Sequence, residues 1–366
     1  MFYATTFTVA GTYLPFFTVW LKAVGLEASW IGVIVAAPAV TRFTLLPFIT
    51  AAAERRNAIR AAMIITAVIT ALGFTLLGFL RAPLLIFVVF VLTACFWTPI
   101  VPLTDGYALK AVARYGLNYG PLRLWGSAAF IAGALVSGVL ADLVAAEHLI
   151  WLIVAFAWLG AVAGFGLRPL DAPAKSATSH RGVALLRNPA FLSIIIAAAL
   201  IQGSHAAYYT FASIIWQDAG LNGTSISVLW VLGVVAEIVV FALSPRFTWS
   251  PVWLMLGGAL SAVLRWLITA QDPSLPLLTA VQLLHGLTFG LTQVGTMGLL
   301  VQQVPSHMIA RGQGYYTAAA GLVMSSASIA SGAVFARYGL AVYDMMAMMG
   351  AIAWVLLLVM RRRLCR

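Results

Sequence analysis

The sequence RPLDAPAKSATSHRGVALLRNP, residues 168–189, is the longest polar stretch in a chain of 366 residues that is 63% hydrophobic and only 8% charged. Soluble domains carry roughly 25% charged residues, so a soluble fold cannot cover this much apolar surface. On both sides of the stretch, apolar runs of about 20 residues alternate with short polar breaks, a pattern typical of membrane-spanning helices. The sequence therefore predicts an all-α integral membrane protein with a polar division near its middle.

Six apolar spans precede the polar stretch and six follow it. The predicted spans are 2–21, 29–53, 59–80, 84–108, 122–143, 148–167, 190–216, 225–244, 251–270, 276–303, 312–336 and 340–360. We expect residues 1–168 to form an N-terminal six-helix bundle, 169–189 a cytoplasmic linker, and 190–366 a C-terminal six-helix bundle with a basic cytoplasmic tail. Two such bundles with a site near the bilayer midplane are the plan of the major facilitator superfamily. The first span has no basic leader or A-x-A cleavage site, so we expect it to remain as a helix.

The chain has a net charge of +11, and its basic residues are distributed unevenly between the two sides of the predicted spans. Fifteen of the 21 Lys and Arg residues fall in loops and tails on one side of the predicted spans. Only Lys22, Arg81 and Arg337 fall on the other side. Basic loops remain in the cytoplasm, so this bias predicts a multi-pass protein of the bacterial inner membrane with both termini cytoplasmic. The basic tail RRRLCR then lies near anionic lipid, and no nucleic-acid partner is expected.

Several function classes lack their usual motifs. The sequence has no phosphate-binding loop, no HExxH and no Cys/His cluster, so we expect no enzyme, no catalytic residues, no metal and no cofactor. A membrane sensor usually adds a soluble signalling domain, and the loops are too short for one. We infer no obligate protein partner. A transporter is the interpretation that these features favour.

The apolar run LGVVAEIVVFAL, residues 232–243, carries one carboxylate, Glu237. Ionisable residues inside a membrane are costly and indicate functional sites. Arg265 in the next span and His285 in the one after are candidate partners. A carboxylate near a guanidinium stays ionised, while desolvation favours its protonated form, so alternation between the two environments could carry protons. The alternative is a static charge pair that sets helix register, although buried pairs stabilise poorly.

Three further charges lie within or at the edge of the N-terminal spans. Asp105 and Arg123 form a predicted substrate-binding pair, because the planar guanidinium fork suits a carboxylate from Asp105 or from a substrate. A salt bridge at the cytoplasmic edge is the alternative. Arg42 is a candidate gate or cavity charge, or a side chain that extends to the lipid headgroups.

The stretch QGSHAAYYTFASIIWQ, from residue 202, places polar and aromatic side chains at helical spacing. His205, Tyr208 and Tyr209 share an overlapping face with Gln202. Aromatic rings with polar tips could hold an aromatic substrate, so we predict these three as substrate-binding residues. Aromatic residues in spans also serve as packing and interface anchors, and His205 could be a satisfied core histidine.

Several segments in both halves resemble one bacterial family. They are PFFTVWLKAVGL (15–26), TPIVPLTDGYA (98–108), YGPLRLWGSAAF (119–130), IQGSHAAYYTFASIIWQDAG (201–220), LWVLGVVAEIVVFALS (229–244), LRW (264–266) and VQLLHGLTFG (281–290). They are similar to the bacterial 3-phenylpropionic acid transporters, a branch of the major facilitator superfamily close to the lactose and oligosaccharide:proton symporters. The resemblance implies the twelve-helix fold of that superfamily and transport of an aromatic acid.

The resemblance also implies roles for individual residues. Asp105 and Arg123 match the substrate-binding acid–arginine pair of the lactose permease, while Glu237, Arg265 and His285 match its proton-coupling residues. The chain departs from that pattern at Thr288, His205 and Ser325, where the permease has two acids and a lysine. The permease's proton route is therefore not transferred as a whole, and Glu237 becomes the main titrating acid with His285 as a modulator.

These features together predict a proton-coupled symporter that imports an aromatic carboxylate such as 3-phenylpropionate by alternating access. Its partners would be a small organic anion, protons and the lipid bilayer, and the proton gradient would supply the energy. The balance of central charges suits an anion better than a neutral sugar. The alternatives are a sugar or nucleoside:proton symporter or a drug exporter on the same fold and, more distantly, a non-transporting sensor or a membrane enzyme.

Overall fold

The computed structural model describes residues 1–115, 119–170, 185–305 and 308–364. Within these ranges, the side chains of residues 109, 112, 113, 119–124 and 310 lie outside the description. The α-helices are α1 (Phe2–Ala23), α2 (Ala28–Thr44), α3 (Leu46–Arg55), α4 (Ile59–Phe79), α5 (Pro83–Trp97), α6 (Ile100–Tyr115), α7 (Tyr119–Ala141), α8 (Ile150–Phe165), α9 (Pro189–Gly203), α10 (Ala206–Asp218), α11 (Gly223–Leu243), α12 (Pro251–Ala270), α13 (Leu275–His285), α14 (Thr292–Gln303), α15 (Ile309–Tyr338) and α16 (Val342–Leu364).

Short non-α turns join or interrupt these helices. A π-helix, Gly286–Leu291, connects α13 to α14 without a break. Four 3₁₀ turns occupy Ala146–His148, Leu185–Arg187, Ser244–Arg246 and Gly339–Ala341. All regular structure in the described ranges is therefore helical, which confirms the predicted fold class.

Each of the twelve predicted spans coincides with one helix or with two or three consecutive helices. Predicted span 29–53 divides into α2 and α3, which are bent by 42°. Span 84–108 divides into α5 and α6 near Pro99, and α6 continues to Tyr115, beyond the predicted end. Span 190–216 divides at Ser204–His205. By length and hydropathy, eight segments of the described chain could cross a membrane, or nine when the bent pair counts as one.

The chain forms two compact units. The first contains Met1–Ala177 and Phe211–Val228, and the second contains Thr178–Thr210 and Leu229–Arg366. The prediction divided the chain at 169–189, and residues 171–184 of that stretch lie outside the described residues. The predicted linker therefore stays a prediction.

Close helix contact in the first unit depends on small residues and aromatic rings. A Cβ on Gly11 of α1 would lie 2.3 Å from the carbonyl oxygen of Phe130 in α7, so only glycine allows this approach. Tyr13 stacks 4.7 Å from Phe17 and meets the Trp97 ring edge-on at 4.4 Å. Aromatic pairs of this kind stabilise a fold by more than the burial of their surface alone. These rings form the core beside α1.

The segment 211–228 is anchored to the first unit by polar contacts at one end. Asp142, just beyond α7, accepts hydrogen bonds from the backbone N–H (3.1 Å) and the hydroxyl (2.6 Å) of Thr224, at the start of α11. The hydrogen bond from the Thr224 hydroxyl, together with backbone N–H donors, lowers the pKa of Asp142 below its ordinary value. Lys22 pairs with Asp218 nearby. The Asp142 carboxylate thereby caps the N-terminus of α11.

Candidate functional site

The second unit holds a polar cluster around Arg265, which lies in α12 and is fully buried. Its guanidinium donates from Nη1 to Nδ1 of His285 (2.8 Å) and to Oγ1 of Thr288 (3.3 Å), and from Nη2 to Oε1 of Gln282 (3.1 Å). These acceptors are all neutral groups. In the described part of the chain, no carboxylate lies within ion-pair distance of this guanidinium. The cluster therefore carries a positive charge that favours an anion close by.

His285 lies between Arg265 and Glu237. Its Nε2 atom is 3.9 Å from Oε2 of Glu237, whose side chain is 25% exposed. This separation is an electrostatic contact and exceeds hydrogen-bond length. The sequence interpretation offered Arg265 or His285 as the partner of Glu237; the structure interposes the imidazole between the carboxylate and the guanidinium. A guanidinium, an imidazole and a carboxylate thus lie in a row, which we call the relay of Arg265, His285 and Glu237; their predicted role in proton coupling stays a prediction.

His205 belongs to the same cluster. Its Nε2 lies 3.0 Å from Oγ1 of Thr288, and its Nδ1 lies 3.0 Å from the carbonyl oxygen of Ile201 and 3.2 Å from that of Gln202. His205 is fully buried at the break between α9 and α10. In this structure its two ring nitrogens face protein groups, the arrangement expected for a core histidine, and its substrate-binding role stays a prediction.

The π-helix Gly286–Leu291 positions one side of the cluster. It follows His285 directly and contains Thr288, whose hydroxyl is 3.2 Å from the carbonyl oxygen of His285. Single turns of π-helix inside α-helices are frequent at functional sites. Sequence reasoning missed this turn, and the pair of glycines Gly286 and Gly290 was the available signal.

Glycines also set the distance between Glu237 and His285. A Cβ on Gly286 would lie 2.5 Å from the carbonyl oxygen of Ala236, and one on Gly290 would lie 2.8 Å from Val240. A Cβ on Gly233 would lie 3.4 Å from the His285 ring. The π-helix therefore rests directly on the backbone of α11, which brings the imidazole close to the carboxylate.

Aromatic rings enclose the cluster. The guanidinium of Arg265 stacks on Tyr208 (4.6 Å) and Trp266 (4.5 Å), within the range of cation–π attraction. Tyr208 is buried, whereas Tyr209 is half-buried and stacks on Trp230 at 6.0 Å. The sequence predicts that Tyr208 and Tyr209 both contact the substrate. In this structure Tyr208 covers Arg265, and Tyr209 is the more accessible of the two rings.

Phe289 is a second half-buried ring at this place. It stacks 5.6 Å from His285 and meets His205 edge-on at 6.5 Å. Sequence reasoning did not select it, because a lone phenylalanine in an apolar span carries no distinguishing signal. Tyr209 and Phe289 flank the histidines as apolar surfaces.

The predicted N-terminal residues lie in the first unit. Asp105, in α6, accepts a hydrogen bond from the hydroxyl of Tyr3 in α1, a partner that sequence reasoning missed. The side chain of Arg123 lies outside the described residues, so the predicted Asp105–Arg123 pair stays a prediction. Arg42 is exposed in the last turn of α2, just before the bend to α3.

The arrangement in the second unit can exchange a proton and attract an anion. Glu237 combines partial exposure with a relay to a buried cation, and the half-buried rings provide an apolar wall. The structure brings together five of the predicted residues: His205, Tyr208, Glu237, Arg265 and His285, with Tyr209 at the edge. Gln282 and Thr288 complete the hydrogen-bond network.

Comparisons with known proteins agree with this architecture. Residues 1–345 match the MFS_1 like family. The chain is 34% identical over 352 residues to a protein of Escherichia coli (strain K12) named "Probable 3-phenylpropionic acid transporter", which covers 92% of this chain and 89% of that protein. It is also 29% identical over 305 residues to the maltose permease of Geobacillus stearothermophilus, covering 80% of this chain and 75% of the permease.

Solved structures show the same fold. A crystal structure of a mutant of the nucleoside transporter NupG superposes with a TM-score of 0.89, covers 98% of each chain and is 15% identical. A bacterial homologue of the human lysosomal transporter Spinster superposes with a TM-score of 0.74 at 14% identity, covering 99% of this chain and 95% of that one. At these identities the structures establish the fold alone. These relatives are transporters and not enzymes. The chain is a multi-pass membrane transporter with the major facilitator fold, and it belongs to the MFS_1 like family.

Proposed function

We propose that this transporter is a proton-coupled symporter that imports an aromatic carboxylate, such as 3-phenylpropionate, across the bacterial inner membrane with both termini cytoplasmic. The observation that carries the proposal is the relay from the buried Arg265 guanidinium through His285 to the partly exposed carboxylate of Glu237. A carboxylate in this place changes its charge when its surroundings alternate between water and the apolar interior.

Proton coupling rests on Glu237 in this scheme. The transporter exposes its central residues to one side of the membrane and then to the other, so Glu237 takes up a proton on one side and releases it on the other. One proton carried with one substrate anion moves no net charge. The pH gradient is then the driving force, worth about 1.4 kcal/mol per pH unit.

An anionic substrate suits the positive charge that Arg265 gives the cluster once Glu237 is protonated. Arg265 is buried with neutral acceptors around it, and the described chain offers no carboxylate within ion-pair distance of it. In the proposed cycle, Tyr209 and Phe289 offer apolar surfaces to the aromatic ring of the substrate. Arg123 and Asp105 of the first unit remain the carboxylate-binding pair that the sequence predicts. The 34% identity to the probable 3-phenylpropionic acid transporter of E. coli supports the same substrate class.

The experiment is uptake of labelled 3-phenylpropionate into inverted and right-side-out vesicles that contain the purified protein, with an imposed proton gradient. Vesicles without protein must be subtracted, because the protonated acid crosses lipid unaided. We expect protein-dependent accumulation that a protonophore abolishes. Uptake equal to that of empty vesicles would overturn the substrate assignment, and uptake insensitive to the protonophore would overturn proton coupling.

A sugar or nucleoside:proton symporter is the second candidate. The 29% identity to the maltose permease favours a sugar, and a nucleoside remains the alternative that the sequence analysis gave. Competition by maltose or uridine against the aromatic acid, in the same vesicles, separates the two candidates. A drug exporter on the same fold would move its substrate out of right-side-out vesicles instead.

A further inference from the structure

Arg265 dictates the hydrogen-bonding state of His285. A guanidinium N–H can only donate, and Nη1 lies 2.8 Å from Nδ1 of His285. Nδ1 must therefore present its lone pair to Arg265. A neutral imidazole carries one N–H, so the proton lies on Nε2, the nitrogen that faces Glu237 at 3.9 Å.

We propose that Arg265 is a positioning residue that locks His285 as the neutral Nε2–H form, so that His285 turns its N–H toward Glu237 without carrying protons and Glu237 is the single proton site of the cluster. The inference rests on the proposed proton-coupled function and specifies how its site works. It gives His285, the modulator of the sequence interpretation, one fixed protonation state.

The rest of the cluster holds Arg265 in place for this role. Gln282 accepts from Nη2 at 3.1 Å and Thr288 accepts from Nη1 at 3.3 Å, while Tyr208 and Trp266 stack on the guanidinium. The guanidinium is thereby fixed in position and plane, so Nη1 cannot turn away from the imidazole. A lysine would supply the charge but not the planar fork.

His205 has a fixed hydrogen-bond pattern of its own. Its Nδ1 faces two carbonyl oxygens, which only accept, so Nδ1 carries a proton. In the neutral form, Nε2 then accepts from the Thr288 hydroxyl at 3.0 Å. Other ionisable or phenolic groups around His285 come from three elements, and together with His205 they are Glu237 of α11, Arg265 of α12, and Tyr208 and Tyr209 of α10.

The lock has a consequence for proton transfer at Glu237. When the carboxylate takes a proton from a hydronium ion and water is released, one O–H bond forms on one oxygen, and the other oxygen still faces Nε2–H of His285. Because Nε2 already bears hydrogen, it cannot accept from the new hydroxyl. The Glu237 hydroxyl is therefore directed away from the imidazole, where it can donate to a substrate carboxylate.

The first test reads the histidine directly. Solid-state ¹⁵N NMR of the full-length protein in lipid bilayers distinguishes the two neutral tautomers from the imidazolium. The His285 signal is assigned by its loss in His285→Gln and, independently of any variant, by its through-space correlation to ¹⁵N-labelled arginine. We expect a neutral Nε2–H ring across the whole pH range in which transport titrates. An imidazolium in that range, or an Nδ1–H ring, would overturn the inference.

The second test uses matched substitutions and the pH profile of uptake. Glutamine can accept and donate at one site as a neutral imidazole does, whereas leucine cannot. We expect His285→Gln to keep at least about a tenth of the uptake rate with the wild-type pH midpoint, and His285→Leu to fall by about tenfold or more below that, because leucine gives the buried Nη1 of Arg265 no acceptor at position 285. An uncoupled His285→Gln, or a shifted midpoint, would show that the ring carries protons.

Arg265 variants complete the test. In Arg265→Gln the Nδ1 lone pair loses its obligatory donor, so we expect the NMR signal of His285 to acquire a second form and uptake to acquire a second pH transition. A single unchanged Nε2–H signal in that variant would overturn the lock. The NMR readout does not depend on transport, so an absence of uptake by the wild type would refute the proposed function separately from this inference.

Discussion

Gly286 contacts the backbone of Ala236, the residue immediately before Glu237: a Cβ at position 286 would lie 2.5 Å from the Ala236 carbonyl oxygen. This contact lets the π-helix rest on α11 with no side chain between them. The imidazole of His285 and the carboxylate of Glu237 are neighbours for this reason. A change in helix spacing here acts on the relay without altering any of its chemical groups.

Gly286→Ala therefore separates the two helices. The neighbouring atom is backbone and cannot turn aside, so we expect a loss of about 1–3 kcal/mol of stability together with a large loss of coupled uptake. Thermal unfolding in detergent and vesicle uptake measure the two effects. Gly257→Ala is the matched control, because its Cβ would meet Leu291 at an ordinary 3.6 Å. Equal behaviour of the two variants would contradict the contact.

Glu237→Gln removes the proposed proton site and keeps its size. With one pH unit across the membrane and one proton per anion, we expect accumulation to fall from about tenfold to about onefold, since one pH unit corresponds to about 1.4 kcal/mol. Exchange of internal for external substrate, which needs no net proton movement, should persist. Glu147→Gln, at an exposed carboxylate, is the control. Undiminished accumulation in Glu237→Gln would refute its coupling role.

Thr288→Val keeps the shape of the side chain and deletes the hydroxyl that lies between His205 and Arg265. Both of those groups are buried, so each loses a partner, and we expect a destabilisation of about 1–3 kcal/mol. Thr288→Ser should restore most of it. Thr279→Val, on the preceding helix with its hydroxyl bonded only to the Leu275 carbonyl, is the control and should change stability little. Chemical or thermal unfolding of the purified protein gives the comparison.

Asp142→Asn tests the cap of α11 through its pH dependence. The pKa of Asp142 is lowered in the folded protein, chiefly by the Thr224 hydroxyl. The ionised side chain therefore stabilises the fold at a pH above the pKa that Asp142 has in the unfolded chain. This stabilisation is lost as the pH falls through the pKa of the folded protein. We expect Asp142→Asn to melt at a lower temperature than the wild type at pH 7. The difference should shrink in acid below the ordinary carboxyl pKa of 3.8. Asp272→Asn, at an exposed loop aspartate, is the control; a pH-independent difference would contradict the cap.

The positions of the apolar spans were readable from the sequence. A run of about 20 apolar residues admits one structure in lipid, because each backbone N–H and C=O must be paired within the helix. The intramembrane charges were readable for a similar reason: Glu237, Arg265 and His285 stand out because charge is expensive in an apolar medium. The loop charges predict an orientation, which vesicle sidedness experiments can test.

The tertiary structure decided how those residues meet. Hydropathy is an average over a window, so it did not reveal the break at His205, the bend after α2 or the π-helix after His285. Gln282 was not selected from the sequence, and Thr288 was noted only as a departure from the permease pattern; both acquire their roles because the packing of helices brings them to Arg265. Solvation free energy along the chain thus determined which segments enter the membrane, whereas the packing of small residues between helices determined which hydrogen bonds form inside it.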